Sequence, residues 1–349
     1  MKNRPVAILK TSPHTCIDDY GRLLHLANFE KTMNPKIETI LKINISWQEY
    51  LPSCSTPPWQ LDGVLNAMKK FRFDFKKIKA VENITVVTDC YRGMNENKLN
   101  NVLSKHGLSF KCLLDGEWEE IRPSKMLVFG KEDMLLPSML RGSQIIHLPT
   151  IKCHGHSEMT CSLKNAFGFL RTVRHHYHLH IHEIIVDLLR IQKEFSKELF
   201  SVVDGTIAMD GAGPRIGTPK IKNYIVAGSD MVAVDAVVAK MMGFDPMKIG
   251  FIRLAHEEGL GIGDLDQIEI VGDSIKNVNF GFKTRKDPVI YFDRFFRGSP
   301  LEPLFFRTSV FKFMVLISDK YRDLWLKTMG QSHIRKFKKT EWGRLFASY

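Results

Sequence analysis

A glycine-rich stretch, VVDGTIAMDGAGPRIGTP at residues 202–219, holds the first residues that could do chemistry. Asp204 directly follows the apolar run LFSVV, and Asp89 follows ITVVT in the same way. In open α/β sheets, ligands bind beyond the carboxyl ends of such strands. Gly211 and Gly213 tolerate positive φ and leave backbone N–H groups open to an anion. The stretch contains no GK[ST] and no GxGxxG, so it is neither a Walker loop nor a dinucleotide fingerprint. It predicts a ligand-facing loop, with a structural corner as the alternative.

A second stretch, IKCHGHSEMTCSLKNAFGFL at residues 151–170, combines cations, an amide and imidazoles. Lys152, Lys164 and Asn165 suit a phosphate or a carboxylate, because charged and amide donors make strong hydrogen bonds to such anions. His154 adds a titratable ring and is a candidate catalytic residue. The stretch therefore predicts a second wall of an anion site.

The same stretch also permits a metal-site interpretation, with Cys153, His154, His156 and Cys161 as ligands. Their spacing fits no zinc pattern, so a structural role is favoured and both cysteines are predicted to be dispensable. A run of histidines follows on a predicted amphipathic helix, with one or two rings expected to reach a site and the others to face water. These are His175, His176, His178, His180 and His182.

Asp235 is the third candidate, within DMVAVDAVVAKMMG. Its neighbours at helical spacing, Val232, Val238 and Ala239, are apolar, so its carboxylate is expected to face packed material. A buried charge is costly without a partner, so Asp235 needs a lysine, a metal or a run of N–H donors. The alternative is a structural acid in the first turn of a helix.

Apolar runs of strand length alternate with amphipathic runs along most of the chain. Strands are predicted at 5–10, 40–45, 84–88, 110–114, 125–129, 143–147, 200–203 and 224–227. Helices are predicted at 58–70, 99–106 and about 180–199, with a further one capped by Ser229 and ended by Gly243. This alternation favours an α/β fold of about residues 1–275, with a mostly parallel sheet flanked by helices.

Composition places the chain among ordinary globular proteins, with 44% hydrophobic and 25% charged residues in 349. No stretch has the pattern of a signal peptide or a membrane span. The six scattered cysteines suggest reduced thiols, so a cytoplasmic location is expected. The net charge of +12 is concentrated in residues 280–349, where fifteen Lys or Arg face six Asp or Glu. Nucleic acid is not an expected partner, because the rest of the chain is nearly balanced and no reader motif occurs.

Residues 276–349 form a predicted basic, aromatic extension whose composition suits an interfacial helix on an anionic membrane. We expect residues 291–349 to meet such a surface, at the inner face of a membrane. One alternative is that the rings pack on the α/β core. Another is that SHIRKFKKTEWGRLF serves as a ligand helix for a partner protein. The aromatic residues concerned are Phe292, Phe295, Phe296, Phe305, Phe306, Phe311, Phe313, Trp325, Phe337, Trp342 and Phe346, interleaved with Arg294, Arg297, Arg307, Lys312, Arg335, Lys336, Lys338 and Lys339.

Six segments in order resemble the family known as domain of unknown function 362. They are LKINIS, STPPWQLDGVLNAM, LPTIKCHGHSEMTCSLKNAFG, VVDGTIAMDGAGPRIGTP, GSDMVAVDAVVAKMMGFDP and AHEEGLGIG, covering roughly residues 40–263. The resemblance implies that the family's signature positions are Lys42, Asn44, Lys152, His154, Lys164, Asn165, Asp204, Gly211, Gly213, Pro214, Asp230 and Asp235. Many relatives carry ferredoxin-like modules with iron–sulfur clusters. Residues 275–349 contain no cysteine, so the extension cannot hold a ferredoxin-type cluster.

Together these features predict an enzyme acting on a small phosphorylated or carboxylated metabolite, with a divalent metal ion as a further expectation. Asp204, Asp235, Lys152, Lys164 and Asn165 are expected to converge on one pocket. One alternative is a redox or metal-handling protein that works with a separate iron–sulfur partner. Another is a non-catalytic scaffold docked on a membrane or a partner. The predicted catalytic residues are Asp204, Asp235, Lys164 and His154, and the predicted substrate-binding residues are Lys42, Asn44, Lys152, Asn165, Gly211 and Gly213.

Overall fold

A computed structural model describes residues 4–85, 87–129, 135–171, 174–297, 299–306 and 308–349 of the chain. The side chains of residues 174–176, 303 and 309 lie outside this description. Three residues singled out in the sequence are affected: the side chains of His175 and His176, and the whole of Arg307.

The described strands are β1 (Val6–Lys10), β2 (Thr39–Ile43), β3 (Ile78–Glu82), β4 (Phe110–Cys112), β5 (Trp118–Glu120), β6 (Leu135–Pro137), β7 (Gln144–Leu148), β8 (Thr150–His154), β9 (Glu158–Thr160), β10 (Glu198–Asp210), β11 (Thr218–Gly228) and β12 (Ile270–Gly272). The described α-helices are α1 (Cys16–Leu26), α2 (Phe29–Thr32), α3 (Pro58–Lys70), α4 (Cys90–Glu96), α5 (Leu99–Lys105), α6 (Ser162–Asn165), α7 (Ile181–Phe195), α8 (Met231–Met242), α9 (Gly250–Glu257), α10 (Pro288–Phe296), α11 (Glu302–Phe306), α12 (Ser309–Trp325), α13 (Gln331–Lys338) and α14 (Glu341–Ser348).

The main sheet runs in the order β12-β1-β11-β10-β7-β2-β3-β4, with β8 and β9 attached beside β10. Strands β4, β3, β2, β7 and β10 are mutually parallel, whereas β11 is antiparallel to both of its neighbours. The predicted α/β fold with a mostly parallel sheet flanked by helices is therefore confirmed. The carboxyl ends of β2, β3 and β7 meet at one edge, where a ligand is expected in such sheets.

Each face of the sheet is covered by its own apolar cluster. One cluster contains the buried sides of α7, α8 and α9. The other contains those of α1, α3 and α5. Helix α3 begins at Pro58 as predicted, because proline fits the first helical position. Helix α8 ends at Gly243 with a φ of 99°, also as predicted, but its cap is Asp230 and not Ser229.

Two predicted strands are absent from the described residues. At 84–88 only a Thr85–Thr88 bridge forms, Val86 lies outside the description, and the strand β3 comes earlier. Asp89 there caps α4 by accepting from the backbone N–H of Tyr91 and Arg92. At 125–129 the backbone N–H groups of residues 127, 128 and 129 donate to the carboxylate of Asp187. A side chain has thus replaced a neighbouring strand as their acceptor.

The glycine-rich stretch is mostly strand. Strands β10 and β11 pair as an antiparallel hairpin, and only residues 211–217 form its loop. Gly211 has a φ of 90°, which favours glycine. A Cβ on Gly213 would collide with the backbone oxygen of Cys153, so this glycine lets the loop lie directly on β8.

The extension divides into two parts. A π-helical turn, Leu326–Gly330, joins α12 to α13. Beyond it, Phe337, Trp342 and Phe346 are buried in the cluster that also contains α1 and α3. The indole N–H of Trp342 donates to Asn223 Oδ1 at 2.8 Å. For residues 331–349 the rings therefore pack on the core, as the alternative interpretation had it. The predicted boundary at residue 275 stays a prediction.

Candidate anion-binding site

A cleft of about 160 Å³ lies beyond the carboxyl ends of β2 and β3. Helix α6 and the loop of the β10–β11 hairpin complete its walls. Its lining includes five of the predicted site residues: Lys42, Asn44, His154, Lys164 and Asn165. His178, from the histidine run of which one or two rings were expected at a site, also lines it, together with residues that were not predicted: Ser46, Glu82, Thr85, Thr160 and Arg215.

The first wall contains a buried ion pair. Lys42 Nζ donates to Glu82 Oε1 and to the Ile43 backbone oxygen, both at 2.8 Å. Glu82 Oε2 accepts from the Ile45 backbone N–H at 3.0 Å. A Cβ on Gly168 would lie 2.5 Å from Lys42 Nζ, so a larger residue there would displace the charged ends of the pair. The pair is buried, and removing either partner would leave an uncompensated buried charge.

Lys152 is fully buried on β8 and reaches the cleft through Asn44. Its Nζ donates to Asn44 Oδ1 at 2.7 Å and to the Thr150 hydroxyl. Among the described residues, no carboxylate lies within 4 Å of this amine. Burial lowers the pKa of Lys152 to about 8. An amine with a pKa this close to neutrality is suited to proton transfer.

Asp235 positions the helix that carries two cleft residues. Its Oδ1 accepts from the Ser162 backbone N–H at 2.8 Å, and its Oδ2 accepts from that of Leu163 at 3.1 Å. These are the first residues of α6, which presents Lys164 and Asn165 to the cleft. The run of N–H donors is thus the partner found, and burial nevertheless raises the pKa of Asp235 to about 6. Asp235 does not line the cleft.

Asn165 ties α6 to the first wall. Its Nδ2 donates to the Lys42 backbone oxygen at 2.9 Å and lies 3.3 Å from His147 Nδ1. Its Oδ1 is buried and has no hydrogen-bond partner among the described residues, and the same holds for Thr160 Oγ1. Two buried polar oxygens of lining residues therefore have no partner among the described residues.

Asp204 lies elsewhere. Its carboxylate accepts from Tyr20 Oη at 2.7 Å, from Trp59 Nε1 at 2.9 Å and from both the N–H and the hydroxyl of Thr206. It borders a separate cavity of only about 10 Å³, shared with Trp59. Burial raises the pKa of Asp204 to about 6. The expected convergence on one pocket is thus wrong for Asp204 and Asp235, because neutral donors already occupy both carboxylates, and Lys152 reaches the cleft only through Asn44.

His154 is buried at the mouth of the cleft with a defined tautomer. Its Nδ1 accepts from the backbone N–H groups of His156 and Ser157 at 3.2 and 3.3 Å, so the ring proton is on Nε2. Burial, assisted by the charge of Lys164, holds the pKa of His154 well below its usual value. The ring is therefore neutral at physiological pH and can donate through Nε2.

The histidine-rich segment is a 3-10 helix, Arg174–His180, that precedes α7. His178 lines the cleft, with its ring centroid 4.9 Å from that of His156. His180 is exposed, whereas His182 accepts from the Phe251 backbone N–H. One ring of the described three thus reaches the site.

In the described part of the chain, no three His, Cys, Asp or Glu side chains are placed to hold one metal ion. Cys153 and Cys161 are buried free thiols, and burial raises the pKa of both. The divalent metal and the dispensability of the two cysteines stay predictions.

Arg215 is the main site residue that sequence reasoning missed. Its Nε donates to the Ser46 backbone oxygen and its Nη2 to Thr88 Oγ1, both at 3.0 Å. Its Nη1 is buried without a partner, and no described carboxylate lies within 4 Å of the guanidinium. Burial lowers the pKa of Arg215 to about 9. The sequence feature that could have identified Arg215 is its place as a cation directly after Pro214 in the glycine-rich stretch. Gly213 borders a neighbouring cavity, and Gly211 borders neither.

The chain belongs to the family described as Domain of unknown function (DUF362), which matches residues 39–240, more than half of its length. All the cleft residues named above fall within that match. A thylakoid-associated protein of Synechocystis sp. is 29% identical over 122 residues, which are 34% of this chain and 37% of that protein. The chain thus aligns with little more than a third of that relative. No solved structure matches the chain significantly.

Proposed function

We propose that this member of the family is an enzyme acting on a small phosphorylated or carboxylated molecule, which it binds in the cleft. The observation that carries the proposal is the guanidinium of Arg215, which lines the cleft with a buried, unbonded Nη1 and no described carboxylate within 4 Å. Burial of this cation is costly, the charges of Asp319 and Asp287 offset that cost only from beyond 4 Å, and an anionic ligand in the cleft would offset it directly. Guanidinium groups are particularly suited to phosphate and carboxylate oxygens.

The other cleft residues fit the same class of ligand. Lys164 and Asn165 face the cleft from α6, whose placement depends on Asp235. Lys152 and His154 are the candidates for proton transfer, because burial lowers both pKa values. Lys42 is held by Glu82, which assigns it a supporting position in the wall. Asp204 and Asp235 are proposed to hold the walls.

Anion binding by the full chain tests this proposal. Isothermal titration with inorganic phosphate, pyrophosphate and succinate should detect at least one of them, and Arg215→Gln should weaken that binding about tenfold or more, since a charge-assisted hydrogen bond contributes roughly 1.5–3 kcal/mol. Arg335→Gln is the matched control, because Arg335 is exposed on α13. No binding of any probe, or equal binding by the wild type and Arg215→Gln, would contradict the proposal.

A peripheral membrane location is a second proposal, supported by exposed apolar side chains. Fourteen large hydrophobic residues are exposed in the described chain, and ten of them belong to the segment 291–329: Tyr291, Phe292, Phe295, Leu301, Leu304, Phe313, Leu316, Ile317, Leu324 and Met329. A concentration of exposed apolar side chains in one segment is typical of interaction sites. Exposed Lys312, Lys320 and Lys327 would favour anionic lipid. The name of the thylakoid-associated relative also supports a membrane. Within the described residues, no helix has the length and apolarity needed to cross a bilayer.

Flotation with liposomes containing increasing anionic lipid, at low and high salt, tests this second proposal. The full chain should float at low salt, and the triple variant Phe295→Ser, Phe313→Ser, Leu316→Ser should not. A wild type that stays at the bottom of the gradient would exclude the membrane. No observation favours the redox alternative, which metal analysis of anaerobically purified protein would test.

A further inference from the structure

A second cavity of about 470 Å³ adjoins the cleft. It lies between the hairpin loop of β10 and β11 on one side and helices α10 and α12 of the extension on the other. The two cavities share five lining residues, namely Val87, His154, His178, Pro214 and Arg215. A single ligand can therefore occupy both, with Arg215 at the junction. We call the larger cavity the chamber.

The extension contributes most of the apolar side chains that line the chamber. Along α12 these include Phe311, Met314 and Val315, spaced as one face of a helix. The opposite face of α12 exposes Phe313 and Leu316, at 63% and 54% of their surface. A helix with apolar residues on both faces is normally buried on both. Here one apolar face borders a cavity and the other is exposed.

The arginines that line the chamber each have a carboxylate partner, with the exception of Arg215. Arg297 donates to both carboxylate oxygens of Asp293, at 2.9 and 2.5 Å. Arg322 pairs with Asp319 at 3.6 Å. Among the described cationic residues that line the chamber, only Arg215 has no carboxylate within 4 Å. An anionic group is thus favoured at the junction, and an uncharged apolar group beyond it.

We propose that the ligand of the cleft is an amphiphile, with its anionic head at Arg215 and a single hydrocarbon chain in the chamber. This rests on the proposed function and specifies its substrate class. The volume suits such a chain, since small-molecule sites span roughly 300–1,000 Å³. The exposed apolar side of α10 and α12 lies next to the chamber, so a chain drawn from a lipid surface would enter across it. The extension is then the part of the protein that recognises the hydrocarbon chain of the substrate.

A chain-length series tests the proposal on the full chain. Isothermal titration would compare inorganic phosphate with ethyl, octyl and dodecyl phosphate, each below its micelle concentration, and acetate with octanoate and laurate. Affinity should rise roughly three- to fourfold per methylene until the chamber is filled. The phosphate and carboxylate arms identify the head group.

Val315→Trp would place an indole in the chamber, and it should reduce the gain from chain length while leaving phosphate binding unchanged. Leu316→Trp is its matched control, because the next side chain faces outward, and it should keep the gain. Thermal melts would establish that both variants fold. If Val315→Trp does not fold, the chain-length series on the wild type still tests the proposal.

The experiment distinguishes failure of the amphiphile proposal from failure of the proposed anion cleft. Equal affinity for ethyl and dodecyl phosphate, together with binding that depends on Arg215, would overturn the amphiphile and leave the anion cleft intact. Dodecyl phosphate binding that is insensitive to both Arg215→Gln and Val315→Trp would place the ligand elsewhere and also overturn it. Failure of every phosphate and every carboxylate of the series to bind would remove both proposals.

Discussion

The two halves of the C-terminal extension have the same kind of composition and opposite environments. In α13 and α14, Phe337, Trp342 and Phe346 are at most 9% exposed, and Trp342 packs 5.0 Å from Trp59 between ring centroids. In α10 and α12, Phe295 and Phe313 are 77% and 63% exposed. Basic residues accompany both sets of rings. The difference teaches that aromatic and basic content alone does not distinguish a core helix from an interfacial one.

What separates the halves is the surface each one meets. Helices α13 and α14 meet a well-packed layer, where Tyr50 stacks on Phe346 at 4.2 Å and Lys98 donates to the Phe346 backbone oxygen. Helix α10 is anchored by Ile290, which packs on Gly155 where a Cβ would collide. Beyond that anchor, α10 and α12 border the chamber. The first half of the extension is thus built around a cavity and the second around a core.

The largest expected effect is a loss of stability in the packed half of the extension, which contains α13 and α14. Trp342→Ala should lower the free energy of unfolding by about 3–5 kcal/mol, because it removes a buried aromatic side chain. It also removes a hydrogen bond to Asn223. Phe313→Ala should change the free energy of unfolding by no more than about 0.5 kcal/mol, since an exposed ring contributes little. Urea denaturation measures both, and equal losses would contradict the division of the extension.

The next effect concerns the helix that serves the cleft. Asp235→Ala should cost about 2–4 kcal/mol, because two backbone N–H groups at the start of α6 lose their buried acceptor. It should also weaken phosphate binding through misplacement of Lys164 and Asn165. Asp89→Ala, which removes the cap of the more exposed helix α4, should cost only about 1 kcal/mol and leave phosphate binding unchanged. Unaltered stability of Asp235→Ala would argue against its positioning role.

The pH dependence of the same residue gives a smaller effect. Burial raises the pKa of Asp235 from 3.8 to about 6 in the folded chain, so the folded state binds more protons than the unfolded state between those values. Its contribution to stability is therefore complete below about pH 4 and is lost as the pH rises through about 6. The stability advantage of the wild type over Asp235→Ala should shrink by about 2 kcal/mol across this window. Urea denaturation at pH 4, 5, 6 and 7 would show this, and an advantage that grows with pH would contradict it.

The smallest expected effect on stability is at the chamber. Met314→Ala should alter the free energy of unfolding by about 1 kcal/mol or less, because Met314 is only half-buried and borders a cavity that already exists. The same change in a packed site costs roughly 2–5 kcal/mol. A thermal melt measures this, and a loss in the larger range would mean that the chamber is closed in solution.

Several helix ends and the parallel arrangement of the sheet could be predicted from the sequence. Pro58 and Gly243 mark helix ends because their backbone preferences act without tertiary help. The parallel arrangement followed from the alternation of strands and helices. The segment at 125–129 could not be placed in the same way, since its acceptor is Asp187, about sixty residues further along. No local pattern reports such a partner.

The site was predictable by residue type and only partly by position. Side chains alternate across a strand, so Asp204 shares a face with Val202, within the cluster that contains α1 and α3. Ser201 faces α6 on the opposite side, where its hydroxyl lies 2.6 Å from that of Ser162. The sequence indicates a carboxylate at the end of a strand but not which face carries the ligand. Arg215 could not be assigned to the cleft from the sequence, because its position depends on distant contacts of the hairpin loop with Ser46 and Thr88.

Hydrogen–deuterium exchange of the full chain, with and without liposomes containing anionic lipid, tests the division of the extension most directly. The account predicts slower exchange in residues 288–329 when liposomes are present, because that half meets the apolar surface. Residues 331–349 should exchange at the same rate in both conditions, since they are already packed on the core. Protection confined to 331–349, or none in 288–329, would contradict the account.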